Sequence, residues 1–398
     1  MRIYSIFIVC FLLSGCKNNS TQNNSITETT THSIDTTASI VTATVSEDNA
    51  YQQTALYLAG LATDADKKIN PSIIQNDAYR LFSDSLSRGF ENMETSRLSK
   101  MRTWAQTELK EEQTAKTVFY PFSGPDILHC VQFYPNADQY ILIALEKYGS
   151  LPILENMDTA KSMQYLSSVT SSLEDIFGKS YFITRKMLKD VSNRVNGFVP
   201  LVSVFLVRSG YEIKDVQYKH LNDDGSFADI SFDSCGRRVN DLVEVYFTKK
   251  GETHLRKVVY FRTNLCDDPF GGMKSFKENN ALQVYLNTLP EFYTYVKSAS
   301  YLMNYPSFDI IRKICLAKSK SILQDDTGVA LRYLDRSKWT VTFFGNYVKP
   351  VSDFTGVWQE DLKAAYVKDS ISIQKLPFSL GYHWGDQNTQ NLMKFTRK

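Results

Sequence analysis

The sequence predicts an α+β fold. Its N-terminal half reads as helix-rich with a few buried strands, and its C-terminal half as an antiparallel β-hairpin sheet plus helices. Three observations carry this. Tyr79, Phe82, Leu86, Phe90 and Met93 repeat at helical spacing. Two apolar runs, Val239 to Thr248 and Thr253 to Arg262, flank Lys249-Lys250-Gly251-Glu252 and read as a hairpin. The strand and helix signals also follow one another without regular alternation, which argues against a parallel α/β sheet.

The elements follow in order. After the helix around Tyr79 to Met93, Thr117 to Phe122 and Tyr140 to Leu145 read as buried strands. Asp158 is placed to cap a helix whose apolar face is Met163, Leu166, Leu173, Ile176 and Phe177. The apolar run Phe198 to Val207 fits strand or helix. Pro200, suited to a first helical turn, favours helix. Tyr211 to Leu221 is the next strand, ended by the turn Asn222-Asp223-Asp224-Gly225. In the hairpin, a turn centred on Lys250-Gly251 sets Glu244 against Lys257, Val243 against Val258 and Leu242 against Val259. Ile311, Ile314, Cys315 and Ile322 share a helix face with Ser307 as cap. Trp339 to Tyr347 and Leu376 to Tyr382 are late strands. There is no internal repeat. Residues 48–210 and 211–398 form two regions, or one continuous domain.

The N-terminus reads MRIYSIFIVCFLLSGC: Arg2, an apolar run, then small residues. The run of about 11 residues is too short for a spanning helix, which needs roughly 20. Residues 1–15 are therefore expected to be a signal peptide. Leu13-Ser14-Gly15-Cys16 resembles the bacterial lipobox. That resemblance implies acylation of Cys16 (palmitate among the chains), cleavage before it and a membrane anchor made of several acyl chains. Lys17 stands where aspartate favours inner-membrane retention in the Gram-negative version of the family, which leans the expected location toward the outer membrane, on its periplasmic or surface face. Residues 16–47 are rich in Asn, Ser, Thr and Gln and lack aromatics. They cannot bury enough apolar surface to offset ordering entropy, so a lipidated flexible tether is expected. The phrases FYPFSGPD and SILQDDTGVALRYL, with the lipobox, resemble uncharacterised exported lipoproteins of Bacteroidetes-type bacteria, a likeness that implies no activity.

Charge excludes one class of partner. With 45 Lys plus Arg against 43 Asp plus Glu, nothing favours nucleic acid. The membrane, through the lipid, and an envelope protein or glycan are the partners expected. No HExxH, GxSxG, GxxxxGK[ST] or GxGxxG occurs, so no cofactor and no metal is expected. Cys235 and Cys266 face one another in the hairpin register above, which makes them a disulfide candidate, while Cys315 reads as core. Asp326-Thr327-Gly328 matches the aspartic-protease tripeptide, but a single copy cannot supply two aspartates, and a turn is expected. Ser372-Ile373-Gln374-Lys375 fits SxxK without its companions.

One segment sets polar groups in an aromatic frame: Phe119 to Asp126, then His129 and Phe133 to Asn136. If Pro125 starts a short helix, Asp126 and His129 share a face at i, i+3 with Ser123 at its entrance. Ser123, Asp126 and His129 are the catalytic candidates of a hydrolase-like envelope enzyme. A rigid turn with Ser123 as cap is the plainer reading. Tyr120, Asn136, His383, Trp384 and Asp386 are ligand-binding candidates, the last three from the cluster Gly381 to Asp386. A cell-envelope lipoprotein that binds a ligand or partner is the leading expectation, with the hydrolase as alternative.

Overall fold

The computed structural model describes residues 49–63, 66, 71–154, 157–182 and 195–398. The signal peptide, Cys16 and the tether fall outside the described residues. Val45–Lys398 forms one compact unit.

The framework is a ten-stranded mixed sheet in the order β4-β3-β5-β6-β2-β1-β7-β8-β10-β9. In chain order the strands are β1 Thr117–Pro121, β2 Gln139–Ala144, β3 Tyr211–Leu221, β4 Phe227–Ile230, β5 Asp241–Lys249, β6 Arg256–Arg262, β7 Phe292–Val296, β8 Ser319–Gln324, β9 Trp339–Gly345 and β10 Asn391–Arg397. The central strands β6, β2, β1, β7 and β8 are all parallel, while β3, β4 and β5 on one side and β10 on the other add antiparallel pairings. Set aside the β3–β5 insertion and number the parallel strands as they occur. Their spatial order becomes 3-2-1-4-5, that of doubly wound dinucleotide-binding sheets.

The ten labelled helices are α1 Ala50–Leu58, α2 Pro71–Ile74, α3 Asp77–Met93, α4 Ser99–Glu108, α5 Ile127–Phe133, α6 Thr159–Lys179, α7 Phe198–Arg208, α8 Asn280–Thr288, α9 Asp309–Lys318 and α10 Glu360–Lys368. A π-helical turn, Glu94–Leu98, joins α3 to α4. Two cores form because strand side chains alternate between faces. Val118, Tyr120, Tyr140, Leu142, Val258 and Tyr260 pack with α1 to α7. Phe119, Ile141, Ile143, Val259 and Phe261 pack with α8, α9 and α10. The crossover from β1 to β2 through α5 therefore lies on one face, and that from β7 to β8 through α9 on the other. Between β1 and β7 the winding reverses, and a crevice opens at the strands' carboxyl ends.

The mixture of helices and strands agrees with the expected class, but the sheet is not an antiparallel hairpin sheet. Its centre is parallel and draws on both halves of the chain, so 48–210 and 211–398 share one sheet. The β5–β6 hairpin is present with a register two residues from the one expected: Leu242 pairs with Phe261 and Phe247 with Arg256. A two-residue slip keeps every side chain on its face. Glu244 and Lys257 consequently still meet, diagonally, at 2.7 Å. The slip removes Cys235 from opposite Cys266, and both are free thiols. Asp158 caps α6 as expected, accepting from Lys161 N at 2.8 Å. Ser307 does not cap α9, because Asp267 Oδ2 takes the N–H groups of Asp309 and Ile310 at 2.9 and 3.3 Å. Leu376 to Tyr382 is not a strand. Pro377 cannot donate to a ladder, and β10 occupies the place beside β9.

Candidate functional site

The segments just beyond the carboxyl ends of β1, β2, β7 and β8 carry Asp126, Glu146, Lys297 and Asp325. After β1, the loop Phe122 to Asp126 turns through two left-handed residues, Phe122 (φ 60°) and Gly124 (φ 56°). After β7 come Lys297 and Ser298, the latter at φ 52°, with Ser300 and Tyr301 also left-handed. Such conformations cost on the order of 1–3 kcal/mol each and gather at functional sites. After β2 comes Glu146. Glu146, Phe122, Gly124, Asp126, Lys297 and Ser298, with Tyr120, Ser123, Tyr181 and Phe182, line a small cleft of about 40 Å³ that is open to solvent on one side.

At its floor lies a buried ionic centre. Asp126 is the N-cap of α5 and accepts from His129 N at 3.2 Å, the usual duty of an aspartate there. One turn on, the His129 ring returns to the same carboxylate, with Nδ1 2.8 Å from Oδ1. Lys297 Nζ reaches the other oxygen at 2.5 Å and donates to Ser180 O at 2.5 Å. His129 Nδ1 thus lies between the Asp126 carboxylate and Lys297 Nζ, the latter 3.1 Å away, while Nε2 is buried without a partner among the described residues. Arg97, presented by the π turn, donates to Phe177 O (3.2 Å) at the end of α6 and adds positive charge near Asp126.

Burial alone would raise the Asp126 carboxyl, but His129 and Lys297 outweigh it and hold it well below the usual range. Burial pushes His129 down to about 4; Asp126 opposes this and Lys297 adds to it. The ring is thus neutral at neutral pH, and Lys297 is the counter-charge of Asp126. Burial likewise lowers Lys297, with Asp126 opposing. Asp325, beyond β8, is raised to about 6 by burial and then by its neighbour Asp326.

His129 and Asp325 give stability terms of opposite sign. A histidine lowered from about 6.5 to about 4 loses stability as pH falls between those values, because the unfolded chain binds the extra proton. A carboxyl raised to about 6 loses stability as pH rises from about 4 to 6. Each effect is on the order of 3 kcal/mol. Denaturant midpoints between pH 4.5 and 6 should be nearly flat for the native chain. They should decline with rising pH in His129→Gln and with falling pH in Asp325→Asn.

The structure brings Asp126 and His129 together as their spacing predicts, yet assembles no triad with Ser123. Ser123 Oγ donates to Gly124 O at 2.8 Å and lies 3.4 Å from Ile143 O. Nor does Ser123 cap the helix, since α5 begins at Ile127 and Asp126 takes that place. Tyr120 lines the cleft with its hydroxyl 3.3 Å from Asp126 Oδ2. Asn136 is exposed at the opposite end of the sheet, in the turn entering β2, donating to Gln113 O at 3.3 Å. Trp384 is 44% exposed and borders a separate groove with Arg97, Lys100 and Phe378. Asp386 pairs with Lys349 at 3.0 Å on the surface. His383 is buried, its Nε2 3.5 Å from Asp326 Oδ1.

Asp326-Thr327-Gly328 is a turn, as expected, closed by Gly328 N–H donating to Asp325 O at 3.2 Å, and it is also a buried hub. Asp325 accepts from Ser298 N (2.8 Å), Thr327 N (3.0 Å) and the Thr327 hydroxyl. Asp326 accepts from Tyr301 OH and from Asn391 Nδ2 at 3.1 Å. This hub ties the left-handed loop after β7 to the end of β8. Sequence reasoning missed Lys297, Arg97, Glu146 and Ser298. For Glu146 a usable signal was present: an acidic residue directly after a buried strand that follows a glycine-containing loop.

Comparison of the chain with family models, with curated proteins and with solved structures returns no match. Fold and site together define a mixed-sheet α+β protein whose parallel centre is doubly wound, with a polar, partly strained crevice at its winding reversal. Among the described residues no group of His, Cys, Asp and Glu is arranged to hold a metal ion, and no helix is long and apolar enough to cross a membrane.

Proposed function

We propose that the chain is a cell-envelope lipoprotein that binds a small organic ligand in the crevice between β1 and β7. One observation carries the binding reading. Two buried polar groups without partners, Glu146 Oε2 and Ser298 Oγ, converge with left-handed Phe122 and Ser298 at the place where open α/β sheets take ligands. Unpaired buried polar atoms cost free energy in the empty protein, and a ligand offering donors and acceptors recovers it. The site favours binding over hydrolysis because Ser123 Oγ is turned to backbone carbonyls, away from the Asp126–His129 pair.

Hydrogen–deuterium exchange after incubation with a soluble metabolite panel tests the site. Protection is expected over 122–126, 146 and 297–301. Ligand-dependent protection confined elsewhere would remove the reading. The anchor rests on the lipobox resemblance at Cys16. Cys16→Ser should move the protein from the membrane to the soluble fraction, and a variant that stays with the membrane would exclude the lipid anchor.

A further inference from the structure

Independently of the crevice, the geometry points to a second binding site, for an acidic oligosaccharide, in the groove between α4 and the segment Gln374 to Gln387. The first ground is shape. Two hollows of about 190 and 450 Å³ adjoin there, with Lys100 and Pro377 lining both. The larger alone falls within the roughly 300–1,000 Å³ that small-molecule sites occupy. Lys100, Thr103 and Thr107 recur at helical spacing along one side, and Lys375, Ser379 and Trp384 belong to the other. None of the lining residues lies in a strand of the sheet, so an extended peptide finds no ladder to join here.

The second ground is charge. Lys100 and Lys375 are exposed and make no hydrogen bond or ion pair among the described residues. Arg97, 8% exposed, donates to the carbonyls of Ile176 and Phe177 and to no carboxylate among the described residues. Glu108 is the one acid among the described residues that line either hollow. Cations gathered along one groove draw an anion to it. The third ground is what the rest of the lining asks of a ligand. Thr103 and Thr107 give their hydroxyl hydrogens to Ser99 O and Thr103 O, at 3.1 and 3.4 Å, which leaves both oxygens as acceptors. The ligand therefore brings O–H donors as well as negative charge. Trp384 is 44% exposed and, of the four tryptophans, the one with neither a ring nor a cation against it among the described residues. A sugar ring carries an apolar C–H face for an indole and hydroxyls around its edge. A sugar acid answers all three demands.

The test titrates the full-length chain calorimetrically with short oligomers of galacturonic, glucuronic and mannuronic acid, with their methyl esters and with oligoglutamate. At least one oligouronate is expected to bind and to protect 96–107 and 374–387 from hydrogen exchange. Its ester should bind about tenfold more weakly, and Lys100→Gln/Lys375→Gln should weaken the acid to a similar degree. Trp384→Ala should weaken acid and ester alike, by about fivefold. Both lysines are exposed, and the ester removes the same charges from the ligand on the unaltered protein, so a folding defect cannot mimic this pattern. An ester bound as tightly as its acid would overturn the recognition of charge. Oligoglutamate bound as tightly as the best oligouronate would overturn the assignment to a sugar in favour of an acidic peptide. Binding of no oligouronate, or protection confined to 122–126 and 297–301, would overturn the groove as the site, and the latter result would favour the crevice.

Discussion

Replacing Lys297 with methionine is expected to lower stability by about 3–5 kcal/mol, the cost of leaving a buried carboxylate without its counter-charge. The site leaves Asp126 few alternatives. It is 1% exposed, and the neighbouring His129 is neutral down to about pH 4. Arg97 is already directed at the end of α6. Methionine fills much the same volume, so the loss reflects charge and not a cavity. Asp126→Asn should cost less, because Lys297 is already lowered by burial and can shed its proton when the aspartate is gone. The double variant Asp126→Asn/Lys297→Met should be more stable than Lys297→Met alone, giving a coupling well above the roughly 0.5 kcal/mol seen for independent sites. A Lys297→Met loss below about 1 kcal/mol in denaturant titrations would show that the pair does not act as a buried ionic unit. A further consequence follows for His129. With Lys297 gone, burial and Arg97 still lower its pKa but one of the three forces is removed, so the ring should titrate at higher pH in the variant, a shift that NMR of the imidazole detects.

The pair that holds this centre together was half legible in the sequence. Asp126 and His129 are three residues apart on a short helix, and local spacing alone predicts that they meet. Lys297 comes to His129 from 168 residues away, a pairing that only the tertiary fold creates. Strand β7 was missed because Phe292–Val296 is five consecutive buried residues: a strand covered on both faces does not alternate, and a run that short carries no period. Strand β8 was missed for another reason: Ile322 reads as part of the helix face of Ile311, Ile314 and Cys315, whereas α9 stops at Lys318 and Ile322 lies in β8, among the polar residues Ser319, Ser321 and Gln324. All three are buried with partners: Ser319 with Thr294 at 2.6 Å, Ser321 with Glu112 at 3.0 Å, and Gln324 with the backbone of Val329 at 2.8 Å. With β7 and β8 unseen, the strand–helix alternation disappeared, and with it the parallel centre. The hairpin was legible because its evidence is local. Even there the loop length was misjudged, and the disulfide candidate failed with the register.

Gly149→Ala is expected to be the most damaging single-methyl change, at least about 3 kcal/mol, and it bears directly on Glu146. Gly149 sits at φ +67°, and a Cβ built there would lie 1.5 Å from Asn196 O. Gly197, at φ +106°, makes the reciprocal approach, its Cβ position 2.6 Å from Lys147 O. The two glycines form a clasp closed by backbone bonds from Phe198 N to Lys147 O (2.8 Å) and Val199 N to Tyr148 O (3.0 Å). This clasp fixes the start of α7, whose residues Phe198 to Val207 are all buried, against the loop that carries Glu146. The contact is with backbone, so no side chain can rotate away, and the loop itself must move. A control separates this from the ordinary penalty of a left-handed alanine. Gly251 has a similar φ of +82° with open space around its Cβ position. Gly251→Ala should therefore cost only about 1–2 kcal/mol. Denaturant titrations of the two variants measure the close approach as their difference. Equal losses would mean that the clasp yields easily and that Glu146 is held by β2 alone. In the expected case, Gly149→Ala also abolishes binding in the cleft while Gly251→Ala, in the distant hairpin turn, leaves it intact.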